Sequence, residues 1–285
     1  MKKVLIPTDF SDTALNAAAY AMRLLEDMSC EFYLFHAYKV PQSVGVLISV
    51  SEILQKEVAE NLEKDEKRLR ELLGYPPIAI NHLSLPGSFH DLLPEVIDSQ
   101  EMDLIVMGTH GARGLADSIL GTNTARVIGE TQLPLLVVPN SLSYDTITNL
   151  VFSTDQSTEE EGIHNDWNWV DWMRDSFDAR FTKLHIEDPE HVRRGREEVS
   201  YASTKRSGMA TKPVPAVIAY KDVNETVYHK DVVEGILSYI PPEEVQNSLL
   251  ILVAHEHGWL GRLFHQSVTQ QIAMRNELPL LILHD

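Results

Sequence analysis

Leu104-Ile105-Val106-Met107-Gly108-Thr109-His110-Gly111-Ala112-Arg113-Gly114-Leu115-Ala116-Asp117-Ser118-Ile119-Leu120-Gly121-Thr122-Asn123-Thr124 is the stretch on which the fold turns. It opens with an unbroken apolar run, Leu104–Met107, which reads as a strand buried on both faces. A glycine-bearing turn follows, and Gly121 stands just before a helical pattern over Asn123–Glu130. Strand, glycine turn and helix in that order form the unit of a doubly wound sheet, where ligands bind outside the carboxyl ends of the strands at the point of winding reversal. Glycines allow backbone N–H groups close to a phosphate, and a helix start offers unpaired N–H groups and a positive dipole end. Thr122 and Thr124 add hydroxyl donors.

Outward from that stretch, apolar strands alternate with helical patterns. Val4–Thr8, Phe32–Tyr38, Ile78–Leu83, Asp103–Met107 and Leu135–Val138 read as strands. Ser11–Asp27, Ser51–Leu73, Phe89–Ser99 and Asn123–Glu130 read as helices between them. Such alternation predicts right-handed crossovers and a parallel sheet covered on both faces. Ser11–Asp27 places Leu15, Ala18, Ala19, Met22 and Leu25 on one side. Ser51–Leu73 is highly charged, with a partial apolar face of Ile53, Leu54, Val58, Leu62 and Leu69 and a solvated face of both signs.

The pattern recurs with an offset of about 145 residues. Val4-Leu5-Ile6-Pro7-Thr8-Asp9-Phe10-Ser11 is echoed by Leu150-Val151-Phe152-Ser153-Thr154-Asp155-Gln156-Ser157. Glu130-Thr131-Gln132-Leu133-Pro134-Leu135-Leu136-Val137-Val138 is echoed by Asn276-Glu277-Leu278-Pro279-Leu280-Leu281-Ile282-Leu283. A polar, turn-prone linker, Asn140–Asp145, separates the copies. The expectation is two domains of one α/β fold, residues 1–140 and 146–285. In the second, Phe181–Ile186, Ala216–Tyr220, Leu249–Ala254 and Leu280–Leu283 read as later strands.

Composition narrows the function. The chain has 285 residues, 44% hydrophobic and 23% charged, and a formal net charge of −18. Disorder is excluded as the main state. The acidic balance disfavours nucleic acid and anionic membrane surfaces as partners. No apolar run reaches the ~18 residues of a membrane span, and Val4-Leu5-Ile6 is too short for a signal-peptide core. Cys30, the single cysteine, cannot form an intrachain disulfide, in keeping with a reducing cytoplasm; it reads as inert.

The spacing Gly108-x2-Gly111-x9-Gly121-Thr122 matches the Gly-x2-Gly-x9-Gly-[Ser/Thr] signature of the ATP-binding universal stress proteins, and Lys3 to Pro139 resembles that family throughout. Pro7-Thr8-Asp9-Phe10-Ser11 resembles its first strand and turn, His36-Ala37 the end of its second strand, and Pro86-Gly87-Ser88 the turn after its third. The resemblance implies two doubly wound, Rossmann-like, five-stranded parallel sheets in order 3-2-1-4-5, related by an internal pseudo-twofold. It implies ATP or AMP across the gap between strands one and four. Gly108, Gly111, Gly121 and Thr122 would surround the phosphates, Asn123 would supply a further helix-start N–H, Pro7, Thr8 and Asp9 would line the ribose, and Ala37 and Met107 would contact adenine. Mg²⁺ would bridge the phosphates, with no protein metal cage. It also implies that the fifth strands, Leu135–Val138 and Leu280–Leu283, pair across the axis as an intrachain pseudo-dimer, and leaves homodimerisation of whole chains open. Read by themselves, Asp9 also suits a helix cap and Met107 a core position; His110 reads as a loop residue, and Arg113 stands where the motif is free.

The second copy departs from the pattern. Ser153 replaces Pro7, and Val253-Ala254-His255-Glu256-His257-Gly258-Trp259-Leu260-Gly261-Arg262-Leu263-Phe264-His265-Gln266-Ser267 lacks a needed glycine under either alignment. A degenerate site is expected, with a structural or partner-binding role. His255, His257 and His265 with Glu256 invite zinc, but match no defined zinc spacing. Trp167, Trp169 and Trp172 suit core or interdomain packing, and Arg193-Arg194-Gly195-Arg196 a solvated segment. The function expected is a stress-response nucleotide-binding protein, ATP or AMP acting as a regulatory ligand in the first domain. The alternatives are a slow ATPase or phosphotransferase, for which no general base, arginine finger or carboxylate pair is recognisable, and a nucleotide-independent interaction protein.

Overall fold

Short, uninterrupted apolar runs flanked by polar turns give the strands of a computed structural model that describes residues 1–40, 47–74, 78–109, 120–140, 142–153, 167–190, 222–254, 268–275 and 278–284. The strands are β1 (Lys2–Pro7), β2 (Cys30–Tyr38), β3 (Ala79–Pro86), β4 (Leu104–Gly108), β5 (Leu135–Val138), β6 (Asn149–Ser153), β7 (Arg180–Glu187), β8 (Asp222–Tyr228), β9 (Ser248–Ala254) and β10 (Leu280–His284). The helices are α1 (Asp12–Leu24), α2 (Leu47–Leu73), α3 (Phe89–Gln100), α4 (Thr122–Glu130), α5 (Trp167–Ser176), α6 (Val232–Tyr239) and α7 (Val268–Arg275), with a 3₁₀ turn at Pro242–Asn247.

The strands form one ten-stranded sheet in the order β3-β2-β1-β4-β5-β10-β9-β6-β7-β8. The two sets of five strands that the resemblance implied are joined edge to edge in this one continuous sheet. Its first five strands stand in the order 3-2-1-4-5. Every described pairing is parallel except β5 with β10, where Leu280 faces Val137 and Ile282 faces Leu135. This seam is the pairing of Leu135–Val138 with Leu280–Leu283 that the resemblance implied. It gives each strand a neighbour in place of an exposed apolar edge.

Two cores follow from the alternation of side chains across the sheet. Val4, Ile6, Phe32, Leu34, Leu104, Val106, Leu136, Leu150, Phe152 and Leu281 face α1, α2 and α5. Leu5, Phe35, Ile105, Leu135, Val137, Val151, Leu250 and Ile282 face α3, α4, α6 and α7. Both cores run unbroken across the β5–β10 seam. α1 is opened by Ser11, whose hydroxyl accepts from Ala14 N at 3.2 Å, and α6 by Asp231, whose carboxylate accepts from Glu234 N at 3.0 Å.

The third strand place of the second half is taken by Asp222–Tyr228, while the expected strand Ala216–Tyr220 lies outside the described residues. Asp222-Val223-Asn224-Glu225-Thr226-Val227-Tyr228 escapes a search for apolar runs because it is an edge strand, carrying polar residues on an exposed face. Trp169 is buried in the α1/α2/α5 core and meets Trp172 edge-on at 6.4 Å, so these two rings are packing residues. Arg193–Arg196 and the histidines and Glu256 of the 255–267 loop lie outside the described residues. Cys30 is half-buried at the start of β2, and burial pushes its thiol up to about 11, the Asp103 carboxylate adding to the rise. That agrees with an unreactive cysteine.

Candidate functional site

β1 lies between β2 and β4, with its chain continuation on one side and its other neighbour reached only later, so the winding reverses between β1 and β4. The β1–β2 ladder runs from Lys2↔Cys30 to Pro7↔Phe35, but the β1–β4 ladder pairs only Val4 with Leu104 and Leu5 with Ile105. It stops before the carboxyl ends of both strands. Pro7 has no N–H with which to extend it. Pro7 at the end of β1, Thr8 and Asp9 after it, and Met107 and Gly108 at the end of β4, lie beyond this short ladder.

The turn after β1 is built by its own side chains. Phe10 N–H donates to Thr8 Oγ1 at 2.9 Å and Ser11 N–H to Asp9 Oδ1 at 3.1 Å. These serine/threonine and Asx turns hold Phe10 at φ 63°, a left-handed conformation uncommon outside glycine. The Phe10 ring lies 4.4 Å from that of His36, whose Nδ1 stands 2.7 Å from Thr8 O. A carbonyl only accepts, so His36 carries its proton on Nδ1. Thr8 N–H donates to Phe35 O at 2.8 Å. Asp9 is exposed, and Ser11, not Asp9, is the helix cap.

The Thr8 hydroxyl is tied to the protein on both sides. It accepts from Phe10 and donates to Asp65 Oδ2 on α2, at 3.4 Å, on the α1/α2 side of the sheet. Asp65 is 5% exposed and lies 3.7 Å from Arg68 Nη1; Arg68 Nη2 bonds Asp12 Oδ1 at 2.6 Å. Burial raises the Asp65 carboxyl, Arg68 and the Thr8 hydrogen bond pull it down, and Asp12 and Asp9 add to the rise.

On the opposite face, Ala37, Pro7 and Met107 occupy equivalent alternating positions at the ends of three adjacent strands, β2, β1 and β4. Ala37 and Met107 belong to the α3/α4 core, with Met107 buried and Ala37 half-buried. The three positions thus share the α3/α4 face of the sheet at the carboxyl end of its strands.

Gly108 closes β4. A Cβ there would meet Thr13 Cγ2 at 2.5 Å and Thr13 O at 3.1 Å, so the glycine exists for the close approach of α1. Thr109 N–H donates to Val138 O at 3.0 Å, and Gly121 N–H to Thr109 O at 2.6 Å. The latter bond closes the 110–119 loop at its base and takes up Gly121's own N–H. Thr124 Oγ1 donates to Gly108 O at 2.8 Å, fixing the first turn of α4 to the end of β4. Gly121 is the N-cap of α4 and supplies no side-chain cap, so the N–H groups of Thr122, Asn123 and Thr124 carry the orphan donors of that helix start. Thr122 and Asn123 are exposed. Gly111, with His110 and Arg113, lies outside the described residues.

Sequence reasoning missed two supports. Asp65 falls within the apolar stripe Val58, Leu62, Leu69, Leu73 of α2, all buried, so a carboxylate at a core-spaced position was the available signal. His90, on the first turn of α3, places Nε2 3.1 Å from Asn123 Oδ1, and its Nδ1 is buried with no hydrogen-bond partner. Nothing in the local sequence ties His90 to Asn123, because the pair meets only through packing. Among the described residues no group of three or more metal-ligating side chains gathers, and no helix is long and apolar enough to cross a membrane.

The topology defines a Rossmann-like α/β protein whose winding reverses between β1 and β4. A model described as the universal stress protein family matches residues 1–139. The universal stress protein MJ0531 of Methanocaldococcus jannaschii is 35% identical over 142 residues, covering 48% of this chain and 81% of that one. The chain belongs to the universal stress protein family. The universal stress protein Slr1230 of Synechocystis is 25% identical along a 306-residue alignment that covers 99% of each chain. A crystal structure of a universal stress protein from Archaeoglobus fulgidus has the same fold, with a TM-score of 0.65, 14% identity and coverage of 99% of this chain and 98% of that one.

Proposed function

We propose that this is a stress-response protein that binds ATP or AMP as a regulatory ligand between β1 and β4 of its first domain. That domain is residues 1–140; residues 146–285 form a second universal stress protein domain with a degenerate site. The observation that carries the reading is the start of α4. Its Thr122, Asn123 and Thr124 N–H groups have no side-chain cap and stand at the edge where β1 and β4 part.

The residues fit an adenine nucleotide in three places. The face shared by Pro7, Ala37 and Met107 matches an adenine ring, and Asp9, exposed at the turn, is placed to accept from ribose hydroxyls. The helix-start donors of Thr122 and Asn123 meet an anion's requirements, and the resemblance adds Gly111, which lies outside the described residues. Beside the ligand roles that the resemblance implies for them, Thr8 holds the turn and Gly108 admits Thr13. Mg²⁺ would offset phosphate charge, and among the described residues no group of three or more metal-ligating side chains gathers to hold it. The chain's own residues bind and orient. Among the described residues none is arranged as a general base, and the proposed activity is binding.

Two features support an internal pseudo-dimer. The β5–β10 seam is antiparallel, as a twofold requires. Gln270 on α7 donates to Ala125 O on α4 at 2.9 Å, and the two positions are one repeat apart. The second domain would act as a scaffold or partner surface, and the cytoplasm suits a chain with one unreactive thiol.

The test is the nucleotide content of freshly purified protein, measured by chromatography and mass spectrometry after denaturation. A single ATP or AMP per chain, lost on Gly121→Val, is expected. Absence of nucleotide together with no binding of added ATP overturns the proposal, and two nucleotides per chain overturns the degenerate second site.

A further inference from the structure

Away from that site, a groove of about 540 Å³ runs along α1, between the carboxyl end of α2 and the linker that joins the two halves. Its floor is apolar: Leu15, Ala19 and Leu73 lie under it, and Tyr20 and Tyr144 stand edge-on to each other at 5.4 Å. The Tyr20 side chain is 1% exposed, and its hydroxyl has no hydrogen-bond partner. A buried hydroxyl left unpaired disfavours the free protein.

The polar groups around the groove are sorted by type. Its donors are committed inside the protein: Asn16 Nδ2 donates to Leu142 O at 2.8 Å and to Pro139 O at 3.3 Å, and Arg23 Nη2 to Leu73 O at 2.6 Å. Asp12, at the far end, is paired with Arg68. At the linker end, Glu26 and Asp145 line the groove with no cation paired to either among the described residues. Glu26, Asp27 and Asp145 all push the Tyr144 phenol upward after burial, which places three carboxylates around that ring against the single charge of Arg23. What remains open is a set of acceptors and carboxylates over two aromatic rings and aliphatic carbon.

We propose that this groove is a second ligand site, separate from the nucleotide site, for a small organic polycation of the alkylamine class. Its ammonium groups are held by Glu26 and Asp145 and by the face of Tyr144, and its methylene stem lies on Leu15, Ala19 and Leu73. A bound polyamine bridges α1 of the first half to the linker, so it stiffens the connection to the second half. The charge match is the reason for preferring a cation to an anion here. The aromatic and aliphatic floor is the reason for preferring an organic cation to a metal ion.

Isothermal titration of the full chain with spermidine at physiological ionic strength tests the assignment. One site per chain is expected. Glu26→Gln with Asp145→Asn weakens binding about tenfold or more, and Tyr144→Leu about three- to thirtyfold. Tyr20→Phe leaves binding within about twofold and the free protein's Tm unchanged or higher, because it removes a buried, unpaired polar group. Glu63→Gln with Glu71→Gln, on the solvated side of α2, leaves binding unchanged and reports general attraction to an acidic protein. Loss of the signal to equal ionic strength of Mg²⁺, equal binding by the Glu26/Asp145 variant, or equal loss in the Glu63/Glu71 variant overturns the proposal. Nucleotide content does not enter any of these measurements, so failure here is separable from failure of the nucleotide site.

Discussion

Replacing Gly108 with alanine probes the contact that sets the end of β4 against α1. The new methyl would sit 2.5 Å from Thr13 Cγ2 and 3.1 Å from Thr13 O. Carbon atoms pack at about 3.5–4.0 Å, so the first contact is short by roughly 1 Å or more. Thr13 cannot rotate away without cost, because its Oγ1 is bonded to Asn140 Oδ1 at 2.9 Å. The backbone oxygen yields less still, since α1 is packed against β4 and β5. Overpacking of this kind costs about 1–3 kcal/mol. For a chain of this size that corresponds to a fall in Tm of roughly 2–12 °C. Thermal unfolding followed by circular dichroism measures it, with Thr13→Ser as the second arm of a cycle. Serine removes Cγ2 but keeps the hydroxyl for Asn140, so the double variant recovers about half or more of the loss. A neutral Gly108→Ala, or a loss that Thr13→Ser leaves untouched, refutes the steric account and returns Gly108 to a purely ligand-facing role.

Asp65→Asn stabilises the protein at neutral pH. The carboxyl is raised in the folded state, so the native protein holds that proton more tightly than the unfolded chain does, and stability falls as pH rises from the unfolded value through the folded one. The gain in Tm at pH 7 shrinks by pH 4; a variant less stable at pH 7 than at pH 4 relative to the parent would show that the Arg68 pairing dominates. His90→Ala frees Asn123 and weakens ATP about three- to tenfold while leaving adenosine unchanged, on the proposed reading that Asn123 serves the phosphates; fluorescence titration with both ligands decides, and equal loss for the two counts against it. Leu281→Ala, at a 0% exposed position in the antiparallel seam, costs about 2–5 kcal/mol by urea denaturation, and a cost under ~1 kcal/mol would mean that the seam is not packed as described.

Much of the site was legible because its parts are local. Pro7-Thr8-Asp9-Phe10 is a turn whose bonds run between neighbours, and Gly121-Thr122-Asn123 is a helix start with its own spacing. The strands of the first half were legible as apolar runs, to within one to three residues at each end. The roles of Thr8 and Gly108 were not, since each depends on what packs above it: Asp65 from a helix fifty-seven residues on, and Thr13 across a strand–helix contact. β8 was missed for a related reason, because an edge strand of Asp222-Val223-Asn224-Glu225-Thr226-Val227-Tyr228 carries the polar pattern of exposure and not the apolar pattern of burial.

The sequence by itself determined the alternation of strand and helix, the repeat, the acidic surface and the glycine spacing, because periodicity, turn chemistry and charge are written in neighbouring residues. Tertiary structure decided that the ten strands form one sheet, that Asp65 reaches Thr8, that His90 reaches Asn123, and that a groove opens between α1 and the linker. Those contacts join residues far apart in the chain. Which of many apolar faces and polar groups come together is fixed only when the sheet has closed at β5 and β10 and both cores have packed across it.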